Sequence, residues 1–147
     1  MRNSFYKFVS AFLLLLAGIT FQARAQYGNE WVNHSLTYYK IKIAKNGVYR
    51  IPQSTLAASG LTSVSAAQIT LFRHGQKVPV FVSTSGTLGS GDYIEFFGEK
   101  GNGEIDVDLY NNPNLHPTTR YNLITDTAVY FLAITTGTHP RLSYKGR

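Results

Sequence analysis

Apolar and polar residues alternate most clearly in Leu36–Ile51, where Tyr39, Ile41 and Ile43 interleave with Tyr38, Lys40 and Lys42. A period of two places the aliphatic residues on one face of a strand and the lysines on the other. Asn46-Gly47 follows, and both residues tolerate the positive φ of a type I′ turn. Val48–Ile51 then reads as the returning strand of a hairpin. Pro52–Ser59 reads as a short helix, with proline suited to the first turn and Gly60 to the position past the end. Leu56 and Leu61 would face the sheet.

The same alternation recurs further on. Gln68–Arg73 reads as a strand with Ile69, Leu71 and Arg73 on one face, His74-Gly75 as a turn, and Gln76–Val82 as the partner strand. Pro79 cannot donate a ladder hydrogen bond, so this partner is expected at a sheet edge or at a bulge. Ser83–Gly91 reads as a flexible loop, Asp92–Gly98 as a strand and Glu99–Asp108 as an acidic loop. Residues 111–119 read as irregular. Ala128–Ile134 reads as the last clear strand and is a buried-looking run, and Arg141–Tyr144 has the pattern of a strand start. The elements together predict a mainly β fold, an antiparallel β-sandwich or partly open barrel with one short helix.

The first residues change the picture. Arg2 and Lys7 precede the apolar stretch 8–21, and Ala23-Arg24-Ala25 matches a small-x-small processing site. That is the pattern of a secretory signal peptide over 1–25, cleaved after Ala25. The apolar stretch of about 14 residues is shorter than the roughly 20 a spanning helix needs. The mature domain is then expected over 26–147, with no transmembrane helix, exported to the periplasm, the outer-membrane surface or the medium. The leader carries three of the fourteen basic residues and none of the eight acids, so the net charge falls from +6 to +3. The remaining cations are dispersed, so nucleic acid is not an expected partner. There is no cysteine, which excludes disulfides and a cysteine nucleophile in this chain.

Six of the eight acids fall between Asp92 and Asp108. Asn102, Glu104, Asp106 and Asp108 alternate beside glycines, a pattern that suits either a solvated loop or a calcium ion with its six to eight oxygens. Asp92 and Glu95, three apart on a strand, point to opposite faces and are poor partners for acid–base work. His34, His74, His116 and His139 show no zinc-ligand spacing. Trp31, the only tryptophan, is placed to pack on the sheet edge. Trp31, Tyr38 and Tyr49 would make a sugar-stacking platform if they shared an exposed face.

Four stretches in order carry a resemblance: Gly47-Val48-Tyr49-Arg50-Ile51, Leu71-Phe72-Arg73-His74-Gly75, Asp92-Tyr93-Ile94-Glu95-Phe96-Phe97-Gly98 and Thr127-Ala128-Val129-Tyr130-Phe131-Leu132. From about Glu30 to Leu132 the chain resembles the start of the gingipain-like cysteine peptidases of Bacteroidetes, nearest to the PorU-type sortases of the type IX secretion system. The resemblance implies a β-rich N-terminal domain ahead of a caspase-like domain with a His and Cys pair. It implies a parent activity of proteolytic processing and surface attachment of secreted cargo. Gingipain N-terminal regions act as propeptides that assist folding and block the active site. With no cysteine and no caspase-like segment here, no catalytic residue carries over. The expected role is a non-catalytic accessory or pro-domain. Its partners would be a caspase-like domain and outer-membrane secretion components. Arg141, Lys145 and Arg147 are candidates by position for a cation entering a specificity pocket. The rival reading is a free-standing secreted carbohydrate-binding β-module.

Overall fold

The computed structural model describes residues 28–144, apart from the side chains of Ile105 and Asp108. The leader, the processing site at Ala25, Lys145 and Arg147 lie outside the described residues. Among the described residues seven strands form two antiparallel sheets packed as a β-sandwich. The four-stranded sheet has the order β1 (Tyr39–Ile43), β7 (Ala128–Ile134), β3 (Ile69–Arg73), β4 (Gln76–Val78). The three-stranded sheet has the order β2 (Gly47–Pro52), β6 (Tyr93–Gly98), β5 (Phe81–Val82). Among the described residues one α-helix, α1 (Gln53–Ala58), is present and follows β2. Among the described residues, no helix is long and apolar enough to cross a membrane.

The expected hairpin at Asn46-Gly47 does not form. β1 pairs with β7 and β2 with β6, so the two strands lie in different sheets. Neither Asn46 nor Gly47 has positive φ. A two-residue turn there would set Ile43 opposite Arg50 and Lys42 opposite Ile51, mixing apolar and charged residues on both faces. Placed in separate layers, Ile41 and Ile43 face Tyr49 and Ile51 across the core instead. Residues 44–46 form the corner, held where Asn46 Oδ1 accepts the Lys100 N–H at 2.8 Å.

The hairpin at His74-Gly75 does form. His74 has φ 48° and Gly75 φ 77°, the type I′ signature, and the register Arg73↔Gln76, Leu71↔Val78 keeps Leu71 and Val78 inward. Past Val78 the chain changes sheets. Pro79 ends the edge strand β4, Val80 is fully buried, and the chain continues as β5 at the edge of the other sheet. The single strand expected over Gln76–Val82 is thus two, because proline interrupts the ladder.

Helix α1 ends as expected. Gly60, at φ 96°, lets its own N–H reach Ala57 O at 2.9 Å and the Leu61 N–H reach Leu56 O at 2.9 Å. This is a Schellman end, with Leu61 packed beside buried Leu56. Pro52 stands one place earlier than expected, as the extended N-cap. The Ser83–Gly91 segment is anchored rather than free. Its Leu88 is buried, its N–H donates to Val64 O at 2.9 Å, and Asp92 accepts from Ser83 Oγ at 2.7 Å and Gly89 N at 2.8 Å. The core between the sheets is filled by Ile43, Ile69, Leu71, Ile94, Phe96, Tyr130 and Leu132.

Candidate functional site

The two sheets treat their outer faces differently. On the four-stranded sheet, Phe131 and Phe72 are cross-strand neighbours pointing away from the core. The lead-in segment folds back over them. Trp31 lies 5.2 Å from Phe72, 5.8 Å from Phe131 and 5.6 Å from Tyr38 between ring centroids, and the Tyr38 hydroxyl accepts the Asn33 N–H at 2.9 Å. Trp31 therefore covers the face of the sheet, not its edge. Gly75 admits the indole, since a Cβ there would stand 2.6 Å from Trp31 Cδ1. Phe72 is left only 8 % exposed. Tyr49 lies in the other sheet, packed against the core and stacked on Phe96 at 5.9 Å, so Trp31, Tyr38 and Tyr49 share no face.

On the three-stranded sheet nothing described covers the outer face to the same extent. Val48 and Phe97 stand opposite one another and are 70 % and 52 % exposed. Beside them Arg50 Nε donates to Glu95 Oε1 at 2.8 Å, and the Arg50 guanidinium sits 4.0 Å from the Tyr93 ring centroid. The hydrogen bond to Glu95 and the charge of its carboxylate hold the Arg50 pKa above its ordinary value, against a smaller lowering by desolvation. Leu142 and Tyr144 complete a groove of about 320 Å³, with the Tyr144 ring edge-on to Phe81 at 5.1 Å. Sequence reasoning missed this face, although one signal was available. In a period-two strand, the consecutive aromatics Phe96-Phe97 force one ring outward.

The C-terminal segment that supplies Leu142 and Tyr144 is tied down at its root. Arg141 forms a parallel bridge with Val80, and its guanidinium donates to the carbonyls of Ile69 at 2.8 Å, Ala66 at 2.6 Å and Ala67 at 3.1 Å. Burial lowers its pKa. Arg141, although exposed, thus has its guanidinium committed to carbonyls of its own chain. Next to it, buried His139 Nε2 lies 3.2 Å from the Thr135 hydroxyl, which is 2.6 Å from the Thr70 hydroxyl.

Burial pushes the His139 pKa down, the Thr135 carbonyl partly offsets this, and Lys77 and Arg141 lower it further. The folded state therefore takes up this proton less readily than the unfolded one. Its contribution is intact above the ordinary histidine value of about 6.5 and is lost as pH falls below it. His74, lowered by burial and by Arg73, acts in the same direction. Melting temperature is expected to drop from pH 7 to pH 5, and His139→Gln should flatten that drop. Thermal melts across this range check it, and identical slopes for the two proteins would contradict it.

The acidic loop is a turn of 3₁₀ helix, Gly103–Leu109. Asn102 Oδ1 caps it by accepting the Glu104 N–H at 3.4 Å. Buried Asp106 accepts from Asn122 Nδ2 at 2.9 Å and from Leu123 N at 2.7 Å. Glu104 is exposed, and the Asp108 side chain lies outside the described residues. Among the described residues no group of three His, Cys, Asp or Glu side chains is placed to hold a metal.

Comparison of the chain with family models, with curated proteins and with solved structures gave no match. Having no cysteine, the chain is not by itself a cysteine peptidase.

Proposed function

We propose that this chain is the exported, non-catalytic N-terminal accessory domain of a gingipain-like cysteine peptidase of the type IX sortase kind. In this reading it docks on the caspase-like domain through the outer face of the three-stranded sheet. The observation that carries the reading is the asymmetry of the two outer faces. One is covered by the chain's own Trp31 and Tyr38, while the other leaves Val48 and Phe97 largely in water. An apolar patch rimmed by charge is how a soluble domain presents a binding surface. The resemblance set out above supplies the occupant, and the lack of cysteine fits a domain whose partner brings the nucleophile. The accessory role is to assist or restrain that partner.

The test is to mix the purified full chain with a caspase-like domain of a gingipain-like peptidase from the same genome and to titrate binding by calorimetry. Phe97→Glu and Val48→Glu place a charge on the exposed face and leave the core untouched. Each is expected to weaken binding at least about tenfold, or about 1.4 kcal/mol. Absence of binding by the folded wild type, or full affinity in both variants, would overturn the reading.

A further inference from the structure

The outer face of the four-stranded sheet carries two clefts that the docking reading does not use. One, of about 430 Å³, is lined by Asn33, Gln68, Lys77, Thr135 and Thr136 beside Trp31. The other, of about 330 Å³, is lined by His74, Asn102, Asn122, Thr125 and Thr127 beside Trp31. Trp31 is the residue common to both, standing as a wall between them. Each volume falls within the range of ligand pockets, about 300–1,000 Å³.

The polar groups along these walls are largely unspent. Among the described residues, the Trp31 indole N–H, the Gln68 amide, the Thr136 and Thr127 hydroxyls, the Asn102 Nδ2 and the His74 ring make no hydrogen bond within the chain. They are amide, hydroxyl and ring groups able to donate and accept. Among the described residues no carboxylate lines either cleft, and the ammonium of Lys77 already donates to Thr138 O at 3.2 Å. The floors between them are the apolar rings of Phe72 and Phe131.

We propose that the two clefts flanking Trp31 form one binding site for a neutral, hydroxyl-rich oligosaccharide. Such a chain presents hydroxyls to the amides and threonines, and C–H faces to the aromatic surfaces. Two clefts with a shared indole wall fit several sugar units better than one. The sequence offered Trp31, Tyr38 and Tyr49 as a platform only if they shared an exposed face, and this site keeps Trp31 and drops Tyr49.

Trp31 is the only tryptophan, so its emission reports this site directly. The full chain would be titrated with maltohexaose, cellohexaose, xylohexaose and mannohexaose, read by fluorescence and by calorimetry. At least one hexamer is expected to shift the emission. Gln68→Ala in one cleft and Thr127→Val in the other should each weaken it about fivefold, the loss of one hydrogen bond to a neutral group, with unchanged melting temperature. If none of the four binds, or if neither substitution changes the affinity, the proposal fails. Both positions lie away from the three-stranded sheet, so this outcome is separate from that of the docking titration.

Discussion

Gly98→Ala is expected to destabilise the domain by about 2–3 kcal/mol through overpacking, a fall of roughly 8–10 °C in melting temperature for a domain of this size. Gly98 ends β6, opposite Gly47, and its backbone carries no positive φ. Crowding alone is the cause. A Cβ at this position would meet Tyr49 Cδ2 at 2.7 Å and Cε2 at 2.9 Å, and Ile43 Cγ2 at 3.2 Å. The Tyr49 ring has little room to retreat. It stacks on Phe96, and its hydroxyl donates to Lys45 O at 2.8 Å. The effect should therefore vanish when the ring is gone. In a Tyr49→Ala background the same glycine substitution is expected to cost close to nothing, and thermal melts of the four proteins give the coupling directly. An undiminished loss in that background would refute the packing account.

This crowded point is also where local sequence signals ran out. The alternation of Tyr39, Ile41 and Ile43 with lysines identified β1 and its inward face, and the structure keeps both. The dipeptide Asn46-Gly47 identified a break in the chain but not its kind. Whether two strands pair or part is decided by the partners they meet, here β7 and β6, which lie far along the sequence. The register already held the clue, since a tight turn would have put Ile43 on the side of Arg50. At His74-Gly75 the flanking pattern was consistent with a tight turn, and the hairpin formed. Pro79 marked the change of sheet correctly as an edge feature, yet its meaning needed the second sheet to be seen.

The candidate site was less legible. Tryptophan drew attention to residue 31, but its contacts with Phe72 and Phe131 join three distant segments, and no periodicity predicts that. Arg141 drew notice only by its position, because its acceptors are backbone carbonyls of residues 66, 67 and 69, which carry no sequence signature. A cation whose partners are main-chain groups is legible only after folding.

Asp106→Ala is expected to cost about 3 kcal/mol, because two donors lose a charged acceptor in a place water does not fill. Asp106 is 2 % exposed, and its two carboxylate oxygens bind the Asn122 amide and the Leu123 N–H. It therefore joins the 3₁₀ turn at Gly103–Leu109 to the chain returning towards β7. Asn122 depends on this in turn, since its Oδ1 accepts the N–H groups of Ile124 and Thr125, both at 2.8 Å. Removing the carboxylate should loosen this whole connection first. Hydrogen exchange is expected to show Leu123, Ile124 and Thr125 amides losing protection before any strand of the sandwich does. The experiment also separates a staple from a metal ligand, the other role that the alternating acids suggested. With both oxygens committed to protein donors, the loss in Asp106→Ala should be the same with calcium added and with a chelator present. A wild-type melting temperature that rises with calcium, and fails to rise in Asp106→Ala, would return Asp106 to the role of ligand. Unchanged exchange at residues 123–125 would remove the staple.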